Sequence, residues 1–308
     1  MTQAGRPILV TGAHRTGTTW VGKMLAANPG TAYISEPLNV LHRPGVLRAK
    51  FPHWYTYITA QNEAEYLGAF HELLAYRYHL AAEVASLRSG HDFLRMWRDI
   101  GIFLNGRLFN QRPLLKDPFA VLSLAWFADR LNCQIVVTVR HPAAFASSLK
   151  RLNWSFDFRD LLEQPLLMHD RLEPYRERML KMPPDDIIAQ ASLLWSIVYR
   201  CVQDDQRQLP ALRIARHEDL SLDPVAGFRQ LYDEMGLEFT ARVEQTIEDS
   251  SKAENPGELA RGRVHSVKLD SRANLYNWKR RLTAEEIGRI RALTEDVAHN
   301  YYPEVEWN

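Results

Sequence analysis

The chain has 308 residues, 46% hydrophobic and 24% charged, the makeup of a globular protein with a sizeable core rather than a disordered or fibrous one. Its formal net charge of +1 provides no global field for nucleic acid or an anionic surface, so any anion must be gripped by local donors. Two cysteines, Cys133 and Cys201, are too few for a disulfide framework or a metal cluster, and no apolar run reaches the about 18 residues of a membrane span, so a cytoplasmic protein is expected.

In chain order, Ile8-Leu9-Val10 suits a buried strand, and Val21, Met24 and Leu25 recur at helical spacing. Between them runs Gly12-Ala13-His14-Arg15-Thr16-Gly17-Thr18-Thr19-Trp20. A strand, a glycine-punctuated loop and a helix in that order aim backbone N–H groups and a helix dipole at one small volume, an anion site. Gly12 and Gly17 keep the spacing of the phosphate loop G-x-x-x-x-G-K-[ST], but Thr18 stands at the lysine position.

Ala32 to Ser35 forms a second short strand ending at Glu36-Pro37. From about 40 to 110 the chain is rich in Tyr, His, Trp and Arg, with a helix expected from Tyr66 to Leu87 on the spacing of Leu67, Phe70, Leu73 and Leu74. This is a helical insertion, either a substrate-facing lid or a packing layer, and Trp54 or Trp97 could line an acceptor pocket there. Pro113 to Lys116 is a strand followed by Asp117-Pro118, and a helix spans Phe119 to Leu131. Gln134 to Val139 is apolar without alternation, as in a parallel sheet covered on both faces, and stops at Arg140-His141-Pro142.

Residues 151 to 185 read as surface helices and loops. A long amphipathic helix starts at Ile187 and carries Ile188, Ala191, Leu194, Trp195, Val198, Tyr199 and Val202 along one face. Leu212 to Arg216 is a further strand, leading into His217-Glu218-Asp219-Leu220. Asp223-Pro224 opens a helix that Gly236 closes. Residues 249 to 277 form a long loop, and Thr283 with Glu286 makes a capping box for a last helix to about His299.

Apolar strands alternating with helices indicate a single domain, residues 1–308, of three-layer α/β/α architecture with a central parallel sheet. Ligands in such sheets lie beyond the carboxyl ends of the strands. That rule selects Thr11 to Thr19, Glu36, Lys116-Asp117, Arg140 and His217-Glu218. Arg15 adds a planar guanidinium to the first loop, suited to phosphate or sulfate, while Thr18 weakens the metal–triphosphate arrangement. Arg140, with Ser148 eight positions on in the next helix, is a second anion grip. The scattered histidines 42, 53, 71, 79 and 91 lack metal-ligand spacing, and His14 and His141 are positioning or surface groups.

Together these segments resemble the sulfotransferases that use 3′-phosphoadenosine 5′-phosphosulfate, including bacterial-type members with a P-loop-like fold. Arg15-Thr16-Gly17-Thr18-Thr19-Trp20 looks like the family's 5′-phosphosulfate loop [KR]-[ST]-G-T-[ST]-x. Arg140 and Ser148 match its 3′-phosphate element, His217-Glu218-Asp219-Leu220 its [YH]-E-D-L, and Trp278-Lys279-x-x-Leu282-Thr283-x-Glu285-Glu286 its C-terminal signature.

The resemblance implies metal-free, in-line transfer of a sulfuryl group from that nucleotide to an acceptor hydroxyl or amine, leaving adenosine 3′,5′-bisphosphate. Residues 15 to 20, with His217, would hold the donor. Arg15 would stabilise the leaving phosphate oxygen, Arg140 and Ser148 would hold the 3′-phosphate, and Arg261-Gly262-Arg263 would close over it. The histidine base of animal cytosolic members is absent, because the matching stretch reads Lys116-Asp117-Pro118. Glu36 matches the glutamate base of several bacterial and carbohydrate-directed members, with Lys116 touching the transferring group. The other reading of Glu36 is an ion pair with Arg15, and Asp117 is a structural cap or a second-choice base. The implied partners are a small-molecule or carbohydrate acceptor, with no nucleic acid, and a homodimer is compatible. A P-loop small-molecule kinase and a non-catalytic nucleotide-binding protein are the competing readings.

Overall fold

A computed structural model of the protein describes residues 5–258 and 267–307. The strands are β1 (Ile8–Thr11), β2 (Thr31–Ser35), β3 (Arg112–Lys116), β4 (Gln134–Val139) and β5 (Arg213–Arg216). They form one five-stranded sheet in the order β2-β3-β1-β4-β5, and every pairing is parallel. Side chains alternate across the pleat, so both faces are apolar. One face (Ile8, Val10, Leu114, Val136, Ala215) packs against α1 (Thr18–Leu25), α12 (Pro224–Met235) and α13 (Ala241–Ser251), numbering the helices in chain order. The opposite face (Leu9, Ile34, Leu115, Ile135, Val137, Val139) packs against α5 (Leu124–Leu131), α6 (Pro142–Leu152), α10 (Ile187–Gln208) and α16 (Ala284–Ala298). This is the three-layer α/β arrangement expected from the alternating pattern.

Between β2 and β3 lie α2 (Leu67–Leu74), α3 (Leu80–Ser86) and α4 (Gly90–Leu108). The helix expected from Tyr66 to Leu87 is therefore two helices. The break is at Tyr76, whose φ of 56° is left-handed and whose ring packs on Gly106 of α4, with no room for a Cβ there. Phe51, Tyr55, Ile58, Phe70, Leu73 and Phe103 are buried in the same cluster as Leu9 and Leu115, so this segment is a packing layer over much of its length. Two further expectations change. The helix after β3 begins as a 3₁₀ turn, Pro118–Ser123, capped by Asp117, and becomes α-helical only at Leu124. The 151–185 stretch holds the short helices α7 (Arg159–Leu162), α8 (Pro165–Leu167) and α9 (Arg176–Leu180) and buries Leu161, Leu167, Met168, Leu172 and Met179. Its charged residues mask an apolar underside.

The remaining elements bear on the site. α11 (His217–Leu222) follows β5 directly, and α14 (Ser271–Leu275) and α15 (Asn277–Arg281) precede α16. Part of the expected 249–277 loop is thus helical: α13 continues to Ser251 and α14 starts at Ser271. Thr283 and Glu286 form the reciprocal capping box at the start of α16.

Candidate active site

The loop from β1 to α1 has a shape few side chains would allow. Gly12 has a φ of 139°, and a Cβ there would lie 2.3 Å from the Thr138 carbonyl oxygen. Gly17, the N-cap of α1, has a φ of 98°, and its Cβ would lie 2.8 Å from His217 Nδ1. Arg15 is itself left-handed, with φ 68°. Thr16 is fully buried, and its hydroxyl is used inside the loop, donating to the Ala13 carbonyl at 2.6 Å and meeting Thr138 Oγ1 at 2.8 Å. Thr16 therefore shapes the loop, whereas Thr18 and Thr19 line the cleft above it. Glycine gives α1 no side-chain cap and no acid stands in its first turn, so its leading N–H groups face the cleft with the dipole's positive end.

That cleft encloses about 900 Å³, the space at its open mouth included, and gathers Arg15, Gly17, Thr18, Thr19, Trp20, Arg140, Ser148 and His217 from three distant parts of the sequence. Arg15 Nε donates to Ser148 Oγ at 3.3 Å, joining the two segments that sequence reading treated as separate grips. Burial, then Arg140 and Arg151, pull the Arg15 pKa down to about 10, still cationic at neutral pH. Arg140 Nε and both ring nitrogens of His217 are shielded from solvent with no hydrogen-bond partner among the described residues. Such groups are costly to leave unpaired, and an anionic, hydrogen-bonding ligand would satisfy them. Burial drives the His217 pKa far down, so the ring is neutral. Trp20 stands edge-on to His217 and anchors its indole N–H on Ser250 Oγ at 3.0 Å.

Glu36 and Lys116 form a second centre at the carboxyl ends of β2 and β3. Lys116 is fully buried and its Nζ donates to Glu36 Oε1, while Asn39 Nδ2 donates to Oε2 at 2.9 Å. Glu36 is held at φ 52°, its N–H donating to the Lys116 carbonyl at 2.7 Å, and its carboxylate keeps 21% of its surface open to solvent. Backbone strain of this kind persists only where neighbours enforce it. His14 couples this pair to the loop. Its pKa falls to about 4, from burial first and Arg15 second, with Glu36 opposing, and its Nδ1 lies 2.6 Å from the Tyr55 hydroxyl. Asp117 is fully buried and accepts from the N–H groups of Leu38 at 2.5 Å and Phe119 at 2.9 Å, which gives it the capping role. Burial raises its pKa to about 7.

Glu218 points away from the cleft, accepting from His141 N–H at 3.0 Å and from the Tyr302 hydroxyl at 2.9 Å. His141 is walled in by Trp278, stacked at 5.1 Å, and by Tyr302 and Trp307. It is a buried strut rather than a surface group. Arg261, Gly262 and Arg263 lie outside the described residues.

Sequence reading missed four participants. Arg151 and Arg281 line the cleft beside Ser148 and share the carboxylate of Glu258, at 2.7 and 2.8 Å. Arg151 falls three residues after Ser148, one turn on along α6, so helical spacing alone would have found it. Thr138, the lone polar side chain between Ile135 and Val139, carried a signal in its isolation. Tyr55 carried none.

A sulfotransferase family model matches residues 7–241, more than three quarters of the chain. The chain belongs to the sulfotransferase family. Among solved structures, it resembles a sulfotransferase domain from the curacin biosynthetic pathway at 18% identity and a TM-score of 0.47, over 94% of this chain and 98% of that one. A sulfotransferase from Mycobacterium avium aligns at 13% identity and a TM-score of 0.49, covering 99% and 79%. A mouse sulfotransferase complexed with PAP aligns at 13% identity and a TM-score of 0.45, covering 98% and 87%. No curated protein matches.

Proposed function

We propose that the protein transfers a sulfuryl group from 3′-phosphoadenosine 5′-phosphosulfate to an acceptor hydroxyl or amine, with Glu36 as the base. The observation that carries this reading is the convergence of Arg15, Arg140 and Ser148 on one cleft where Arg140 Nε and the His217 ring nitrogens are shielded and unpartnered among the described residues. The family supplies the reaction class. The charge pattern supports an anionic donor: the loop N–H groups and Arg15 adjoin Ser148, with Arg140, Arg151 and Arg281 in the same lining. Trp20 and His217, neutral and aromatic, lie beside them and suit a base.

The donor, when bound, supplies the sulfuryl group on a phosphosulfate anhydride. Arg15 and the first N–H groups of α1 hold its charged end and offset the charge left on the phosphate oxygen. Glu36 takes the acceptor's proton as the acceptor oxygen bonds to sulfur and the sulfur–phosphate oxygen bond breaks. Lys116, fixed by burial, holds the Glu36 carboxylate in place. The acceptor is a small molecule or carbohydrate carrying a free hydroxyl or amine.

The test is ligand-dependent melting, since a ligand that binds only the native state stabilises it. Adenosine 3′,5′-bisphosphate is expected to raise the Tm while ADP with magnesium does not. A shift with ADP alone would return the chain to the kinase reading, and no shift with either would overturn nucleotide binding altogether.

A further inference from the structure

His14 is the residue of the β1–α1 loop that the proposed transfer does not use, yet its surroundings are built around it. It directly precedes Arg15, and its ring meets Phe145 of α6 edge-on at 5.7 Å. Its backbone N–H donates to the Tyr55 hydroxyl at 3.1 Å, and its Nδ1 lies 2.6 Å from the same oxygen. Tyr55 is fully buried and left-handed, with φ 60°. Phe119 at 5.3 Å and Phe156 at 5.8 Å stand edge-on to its ring, and its carbonyl accepts from Gln164 Nε2 at 3.3 Å. A non-glycine residue persists in that conformation only where neighbours enforce it, and what they enforce here is one phenol oxygen beside His14.

Hydrogen counting then fixes the state of the imidazole. A tyrosine hydroxyl has one hydrogen to give and two places to accept. One acceptor place takes the His14 backbone N–H. Burial holds the phenol well above its ordinary pKa, so Oη keeps its hydrogen. Were Nδ1 protonated, Oη would accept twice, and its own hydrogen would be buried with no acceptor among the described residues, a costly arrangement. Oη therefore donates to Nδ1, and the proton of the neutral ring sits on Nε2. Tyr55 is fully buried while His14 keeps part of its surface open, so the open edge of the ring is the one that carries Nε2–H. The charges that act on this ring are Arg15 and Glu36, which the proposed transfer puts at the two ends of the moving sulfuryl group.

We propose that Tyr55 is a positioning residue that locks His14 as the Nε2–H tautomer, and that this N–H donates to an oxygen of the sulfuryl group carried by the donor. The ligand in this assignment rests on the proposed function; the tautomer does not. A neutral N–H grips the oxygen, whereas an imidazolium would add a second cation beside Arg15 and lower the basicity of Glu36. NMR of the full chain with isotope-labelled histidine, the His14 signals being those lost in His14→Asn, should show Nε2 protonated and Nδ1 unprotonated. In Tyr55→Phe the two tautomers should mix. Adding 3′-phosphoadenosine 5′-phosphosulfate should move the Nε2–H signal of the wild type, and adenosine 3′,5′-bisphosphate, which lacks the sulfuryl group, should move it much less. In calorimetric titration, Tyr55→Phe and His14→Asn should weaken the phosphosulfate about tenfold more than the bisphosphate. His14→Gln, whose amide N–H takes the place of Nε2–H, should recover most of that loss. A proton on Nδ1 in the wild type, or the same Nε2–H shift with both ligands, overturns the inference. So does equal weakening of both ligands in the two variants, which is what a merely structural contact would give. Failure of the proposed function looks different: neither nucleotide then moves the Tm, which removes the sulfuryl contact and leaves the tautomer standing.

Discussion

Under the proposed function Glu36 has two jobs that one substitution separates. Glu36→Gln keeps the hydrogen bond from Asn39 and much of the shape of the Lys116 contact but cannot take a proton. We expect the melting shift with adenosine 3′,5′-bisphosphate to survive and transfer to fall by about 10² to 10⁴. If the shift disappears too, Glu36 is a strut of the loop and the base lies elsewhere. Among the described residues that line the cleft, Glu258 is the only carboxylate beside four arginines, and it already pairs with two of them. A 3′-phosphate that uses Arg151 and Arg281 must take them from Glu258. Glu258→Gln should therefore tighten the bisphosphate several-fold and leave adenosine 5′-phosphosulfate, which lacks the 3′ group, unchanged. Equal tightening of both ligands would place Arg151 and Arg281 away from the 3′-phosphate. Calorimetric titration of both ligands reads the difference.

Among the elements, the contact of α1 with β3 sets the position of Lys116. A Cβ at Gly22 would lie 2.9 Å from Lys116 Cγ and 3.1 Å from Tyr33 Cε2, so the lysine stem runs through space that only glycine leaves. Gly22→Ala should push Lys116 and Glu36 off their geometry, lowering kcat by up to about 10² with little change in bisphosphate affinity. An unchanged kcat would show that the lysine shifts without cost to the base. The same pair shows how much could be read beforehand. The strands and the loop were legible because their signals are local: apolar runs, glycine spacing, a residue after each strand end. Arg140 and Ser148 were legible through helical spacing. The Lys116–Glu36 pair was not, because it depends on β2 and β3 being neighbours in the sheet, which no local pattern encodes. The outward-facing Leu94, Trp97, Leu104 and Leu108 of α4 were hidden for the opposite reason. Periodicity reveals that a helix has an apolar side, and α4 has two.

For the molecule as a whole, buried neutral histidines govern acid stability. The pKa of His14 is lowered to about 4 and that of His141 to about 3, chiefly by burial, and burial also pushes that of His217 well down. The unfolded chain binds protons at these sites near pH 6.5 and the native chain does not, so stability is full above that pH and is lost as pH falls toward 4. Asp117 acts in the other direction. Its pKa is raised to about 7, so the native state holds its proton through the range where the unfolded carboxyl gives it up, and this contribution fades as pH rises toward 7. Glu218, Asp205 and Asp160, also raised chiefly by burial, act as Asp117 does, so the histidine contribution is read from single variants. His14→Gln should flatten the fall in urea midpoint between pH 6.5 and 4, removing on the order of 3 kcal/mol of the pH dependence. An equally steep fall in the variant would mean that His14 is charged in the native state.

Tyr302 and Trp307 wall in His141, the residue after Arg140, and Tyr302 also holds Glu218 beside His217. A ribosome delivers residues 12–20 early, yet the struts behind Arg140 and His217 leave the exit tunnel some three hundred residues later. Nascent chains thus cannot brace Arg140 and His217 until translation has passed Trp307. Under the proposed function, a message truncated shortly before that point should yield a folded sheet that holds nucleotide poorly.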